Sequence, residues 1–147
     1  MRSNLIVYLL AFVSGFSIMS IELLGGRLLA PYFGSSVYVW GSIITVFMLS
    51  LSIGYLIGGR LSLYRPTLHR YAAIFLASAA CLYPLVLIAE DVMAAVFERV
   101  EDPRYGSLLA SSVLFIVPTV ILGMISPYSV RLLTETTERA GHVAGRL

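Results

Sequence analysis

VYVWGSIITVFMLSLSIGYLIGGR, from Val37 to Arg60, decides the fold. It contains no charge before its final residue. A helix rises 1.5 Å per residue, so about 20 mainly apolar residues cross a ~30 Å hydrocarbon core and this stretch is long enough to span a bilayer. The charge-free interval around it runs 32 residues, from Arg27 to Arg60. Three further intervals follow the same pattern: 19 residues between Arg2 and Glu22, 19 between Arg70 and Glu90, and 26 between Arg104 and Arg131. The expectation is an all-α membrane protein, a four-transmembrane-helix bundle with spans near residues 5–24, 37–59, 71–97 and 107–130. Residues 1–130 form the membrane domain and 131–147 a cytoplasmic tail. A β-barrel does not fit, because its strands alternate apolar and polar residues over about 10 positions and then turn.

Composition agrees. Of the 147 residues 59% are hydrophobic and 12% charged, against roughly 25% charged in a soluble domain. Basic residues are not gathered into a nucleic-acid footprint. Cys81, the one cysteine, lies in an apolar run and can make no internal disulfide or thiolate cluster. The stretch after Arg2 is longer than a secretory h-region of ~7–15 residues and three more spans follow, so it reads as a retained first helix.

Breaks between spans are expected at Pro31 and Gly34, at Arg65-Pro66 and at Asp102-Pro103. Arg near membrane ends favours the cytoplasmic side. Both termini are therefore expected inside, with Arg2, Arg60, Arg65, Arg70, Arg131, Arg139 and Arg146, while Arg27, Arg99 and Arg104 lie opposite. The acidic segment 90–102 reads as the wet end of the third span running into a short interfacial helix.

Small residues at four-residue steps in the second span, Ser42, Ser50, Gly54 and Gly58 with Val46 among them, suit close helix contact in lipid. The alternative is a flexible or substrate-lining helix. Pro118, Gly123 and Pro127 are expected to bend the fourth span. Tyr32, Phe33, Tyr38 and Trp40 read as an interfacial aromatic belt. His69 and His142 have no Cys or carboxylate at ligand spacing, so no metal is expected.

Glu22 and Arg27 are the candidate functional pair, five residues apart around Gly25-Gly26. An ionisable group in a span is costly enough to need a reason. Two remain open: a structural ion pair or interfacial anchor at the edge of the first span, and a carboxylate that binds a proton or cation.

The run IELLGGRLLAPYFGSSVYVWG, from Ile21 to Gly41, resembles the membrane domain of bacterial and archaeal spermidine synthase-like (fused major-facilitator/spermidine synthase) proteins. GYLIGGRL at 54–61, GMISPYSVRL at 123–132 and GHVAGRL at 141–147 are similar to later parts of that domain. The resemblance implies a multi-pass prokaryotic plasma-membrane protein connected with polyamines. Members continue into more helices and a cytosolic Rossmann-like aminopropyltransferase domain, which binds decarboxylated S-adenosylmethionine and a polyamine. These 147 residues hold no strand–glycine loop–helix unit, so the resemblance carries over no catalytic residue and no cofactor.

The expected function is that of a non-catalytic subunit in a larger membrane assembly, its partners the lipid bilayer and either copies of itself or a separately encoded membrane or synthase-like chain. The alternative is an oligomeric transporter of a small solute or cation, a polyamine among the candidates, using Glu22. Four-helix chains of the small multidrug resistance class work this way with a first-helix carboxylate set deep in the span, an analogy of architecture alone. Glu22 lies instead at the span's edge, and the subunit reading, which the resemblance to a membrane domain without its synthase domain motivates, is preferred. An enzyme is not expected, for want of a nucleophile–base pair, metal cluster or phosphate loop.

Overall fold

The computed structural model describes residues 2–64, 66–134 and 145. The described chain is helical: α1 (Arg2–Phe33), α2 (Val37–Ser62), α3 (Leu68–Arg99), α4 (Pro103–Gly123) and α5 (Ile125–Leu133). Counting α4 and α5 as one segment, four helices are long and apolar enough to cross a membrane. Most of the tail expected at 131–147, with His142, Arg139 and Arg146, lies outside the described residues.

Three boundaries differ from expectation. Pro31 does not end α1, which continues to Phe33. A proline in the last turn deprives only the Arg27 carbonyl of its helical donor, and the chain turns instead at Gly34, whose φ of +78° suits glycine and whose N–H bonds the Ala30 carbonyl at 2.9 Å. The acidic segment forms no separate interfacial helix, because α3 runs unbroken to Arg99. Met93 is buried there and Val92 and Val96 pack against the core, which holds the extra turns in line. The fourth span begins at Pro103, earlier than expected, where Asp102 caps α4 by accepting from the Arg104 N–H at 2.9 Å and Pro103 opens the first turn.

The bend expected in the fourth span falls at Gly123-Met124. Pro118 stays inside α4, buried. Met124 N–H reaches the Val120 and Ile121 carbonyls at 3.2 Å each, a bifurcated arrangement usual where a helix ends. Pro127, three residues on, has no N–H for the Gly123 carbonyl. The tightened turn and the missing donor together separate α4 from α5.

Packing is centred on α2 against α4, with α3 and α1 laid around them. A Cβ built on Gly54 would stand 2.4 Å from the Val120 carbonyl oxygen and 3.0 Å from Gly123 Cα. One on Gly58 would meet Met124 backbone at 2.5–2.9 Å, and Ser50 on the same stripe is fully buried. The backbones touch because no side chain intervenes. Further along this face Phe47 and Phe115 meet with ring centroids 5.4 Å apart, among Val39, Ile43, Ala110 and Leu114.

A second cluster joins Val7, Tyr71, Ile74, Leu122, Ile125 and Tyr128. It brings the start of α1 and the α4–α5 segment to the same end of the bundle. There Tyr71 and Tyr128 stack at 5.9 Å. Ser129 Oγ donates to the Ile125 carbonyl at 2.7 Å, so the Tyr71 hydroxyl donates to Ser129 Oγ, 2.6 Å away. The Tyr128 hydroxyl accepts from the Thr67 N–H at 3.1 Å. Buried polar atoms in hydrocarbon need such partners. Tyr71→Phe should lower stability by about 0.6 kcal/mol and at most ~1.7, the range for hydrogen bonds between membrane helices. Detergent unfolding checks this; an unchanged midpoint in both Tyr71→Phe and Ser129→Ala would remove the bond from the energetics.

Outward faces carry large apolar side chains, Phe12 at 69% exposure and Val86 at 75% among them. Contiguous apolar surface of this kind fits surrounding hydrocarbon and not water. At the other end Arg104 lies 4.0 Å over the ring of Tyr38. The Phe97 ring stands edge-on to Tyr32 and Phe33, at 6.2 and 6.0 Å.

Candidate functional site

Glu22 is the acidic residue farthest inside a helix. With α1 reaching Phe33, Glu22 lies 11 residues from that end, about 16 Å, and 17 residues from Leu5, about 25 Å. Three contacts fix its level. Near the top of α1, Phe33 meets Gly106; lower down, the Gly25 Cβ position is 3.0 Å from the Phe115 ring; lower still, Ser14 Oγ donates to the Leu122 carbonyl at 3.4 Å. Glu22 falls between the last two, level with the middle of the α4–α5 segment. The carboxylate expected at the edge of its span stands at mid-height in the bundle.

Its direction follows from helix geometry. Residues four apart share a face, so Glu22 stands above Ile18 and below Gly26. Gly25, Gly26 and Leu29 are buried on this side of α1, and Gly26 is covered by the Trp40 indole of α2, 2.5 Å from its Cβ position. Glu22 therefore sits on the face turned to the bundle and is half-buried there. Five residues at 100° each put Arg27 about 140° around the helix from Glu22. Arg27 is exposed and borders, with Ser20, Leu23, Leu24 and Trp40, an outer groove of about 540 Å³.

The structure thus separates the two residues the sequence pairs. Among the described residues Glu22 makes no ion pair and no side-chain hydrogen bond. A carboxylate in that setting can hold a cation or a water-mediated donor. Gly54 and Gly58 make their contacts against the α4–α5 backbone, away from Glu22, and Ser50, fully buried, donates its Oγ–H to the Val46 carbonyl at 2.6 Å.

One polar feature was missed in the sequence. Between α1, α2 and the α4–α5 break lies a cleft of about 160 Å³ bordered by Ser14, Gly15, Tyr55, Gly123 and Ser126, with Ile18 at its inner edge. The residues come from four helices and share no motif; the only sequence signal is Gly123 four residues before Pro127. Elsewhere, Ser111 Oγ and Thr119 Oγ1 in α4 are buried without a partner.

Comparison of the chain with protein-family models, with curated proteins and with solved structures returns no match.

Proposed function

We propose that this integral membrane protein binds a small cation or proton at Glu22 and works as an oligomeric transporter of a small cationic solute. The observation that carries the reading is the position of Glu22 on the bundle-facing side of α1 at mid-height, without a counter-charge among the described residues. The extension of α1 to Phe33 puts Glu22 farther inside its helix than a span over 5–24 would, which supports this reading over a subunit that the family likeness alone suggests. Polyamines are the first solutes to try, on the resemblance of the 21–41 run. The end of the bundle bearing Arg60, Arg70 and Arg131 faces the cytoplasm of a prokaryotic cell, by the bias of basic residues.

A non-catalytic subunit of a larger membrane assembly is the second reading. It is favoured by α1, where only 11% of an apolar 18-residue stretch is buried, against 50% in the α4–α5 segment. A second copy, or a separately encoded membrane or synthase-like chain, would cover that helix.

Reconstituted vesicles separate the two. Uptake of labelled spermidine, driven by an imposed pH gradient, is expected in the wild type and reduced in Glu22→Gln by at least about tenfold, the value of one charge-assisted contact of ~1.5–3 kcal/mol. Glu22→Asp should retain part of it. Equal uptake by wild type and Glu22→Gln would take the carboxylate out of the mechanism, and a foreign chain co-purifying in mild detergent would favour the subunit.

A further inference from the structure

We propose that the cleft between α1, α2 and the α4–α5 break is filled with water and forms the aqueous approach to Glu22 from the Arg60/Arg131 end of the bundle. Its border mixes the apolar Ala11, Ile18 and Leu122 with the polar Ser14, Tyr55 and Ser126, and polar groups at membrane depth need partners. Among the described residues the Tyr55 and Ser126 hydroxyls make no hydrogen bond, and the Ser14 bond to the Leu122 carbonyl is long, at 3.4 Å. The Gly123 carbonyl has lost its helical donor to Pro127. Ser14, Tyr55, Gly123 and Ser126 border one space of about 160 Å³, room for about five waters at ~30 Å³ each. Water with two to four polar partners is held stably in such a site, and irregular backbone at membrane depth is tolerated where it lines a wet cavity.

Position gives the cleft its direction. Tyr55 precedes Arg60, and Ser126 precedes Arg131, by five residues each, about 8 Å along the helix axis. The cleft therefore begins close to the basic end of the bundle. Along α1 its border runs from Ala11 through Gly15 to Ile18, and the next turn on that face is Glu22. Gly15 keeps the entrance open: nothing lies within 4 Å of where its Cβ would be. Two of the other cavities are apolar. The space bordered by Gly25, Leu82, Leu85 and Phe115 presents no polar surface, and that bordered by Pro84 and Pro118 carries only apolar side chains and Cys81.

The inference rests on Glu22 as the site only for its end point; hydration of the cleft stands apart from transport. Thiol modification tests it, because only a water-exposed thiol ionises and reacts rapidly. In a Cys81→Ser background, Gly15→Cys and Ser126→Cys are placed in vesicles beside Leu9→Cys, which is on the outward face of α1 and 59% exposed in the structure. A membrane-impermeant sulfonated methanethiosulfonate is added to one side at a time. Both cleft positions should react at least about tenfold faster than Leu9→Cys, the gain expected where a thiol has water instead of hydrocarbon, and from the side that bears Arg60 and Arg131. Glu22→Gln should leave these rates unchanged. Rates equal to that of Leu9→Cys, or access only from the opposite side, would overturn the proposal. Fast labelling without spermidine uptake would uphold the wet cleft and sink the transport reading; uptake without labelling would do the reverse.

Discussion

Gly54→Ala should separate α2 from α4 and cost about 1–3 kcal/mol, the usual penalty of forcing a methylene into a packed interior. The added carbon would lie 2.4 Å from the Val120 oxygen and 3.0 Å from Gly123 Cα. Both are backbone atoms, so no rotamer change relieves the clash and one helix must move. Gly58→Ala meets Met124 backbone in the same way. The double variant should fail to fold, since the two sites lie one turn apart on the same seam and their effects reinforce each other. Gly59→Ala is the control: nothing lies within 4 Å of its Cβ position, and replacing a helical glycine by alanine is worth up to about 1 kcal/mol in the opposite direction. Unfolding by a denaturing detergent measures all four. If Gly54→Ala proves as stable as Gly59→Ala, the α2–α4 contact described here is wrong.

Phe115→Ala should be the most damaging single truncation in the core. The side chain is 1% exposed, packs on Phe47 at 5.4 Å and lies against the bare Cα of Gly25, so it joins α1, α2 and α4 at once. Truncating a buried Phe costs about 3–5 kcal/mol in water-soluble proteins. In a membrane part of that is absent, because hydrocarbon solvates an exposed ring nearly as well as the core does. The lost dispersion contacts and the cavity remain, giving an expected loss of about 2–4 kcal/mol. Phe16→Ala, at a position 65% exposed on the outer face of α1, should change stability by less than about 0.5 kcal/mol. Comparable losses in the two variants would show that Phe115 does not occupy the centre of the bundle.

Charge spacing made the fold class legible. Four intervals without a charge, each near or above the length of a span, leave few alternatives to four helices, and the described residues contain four helices of that kind. The ends were less legible. Pro31 reads as a breaker, yet it falls where a helix has almost no hydrogen bonds left to lose. Glu90 and Asp91 read as the start of an aqueous segment, but Met93 is buried and Val96 packs against the core, which keeps α3 helical beyond them.

The site shows the same division more sharply. Glu22 and Arg27 are paired in the sequence reading, and five residues on a helix turn them to different sides. Only the length of α1 reveals that Glu22 is at mid-height, because that length is set by Gly34 and by the contact of Phe33 with Gly106, and neither depends on the charges around Glu22. The polar cleft has no motif to find.

By itself, then, the sequence determined four helices long and apolar enough to cross a bilayer among the described residues, since hydrocarbon disfavours charges and unpaired backbone and leaves a record of that exclusion in the charge-free intervals. It also set where two helices have no side chain to hold them apart, at Gly54 and Gly58. The tertiary structure decided the depth of Glu22 and the gathering of Ser14, Tyr55 and Ser126 around Gly123. These depend on how helices distant in the chain register against one another, and that register comes from packing between residues as far apart as Gly54 and Val120, which no local spacing encodes.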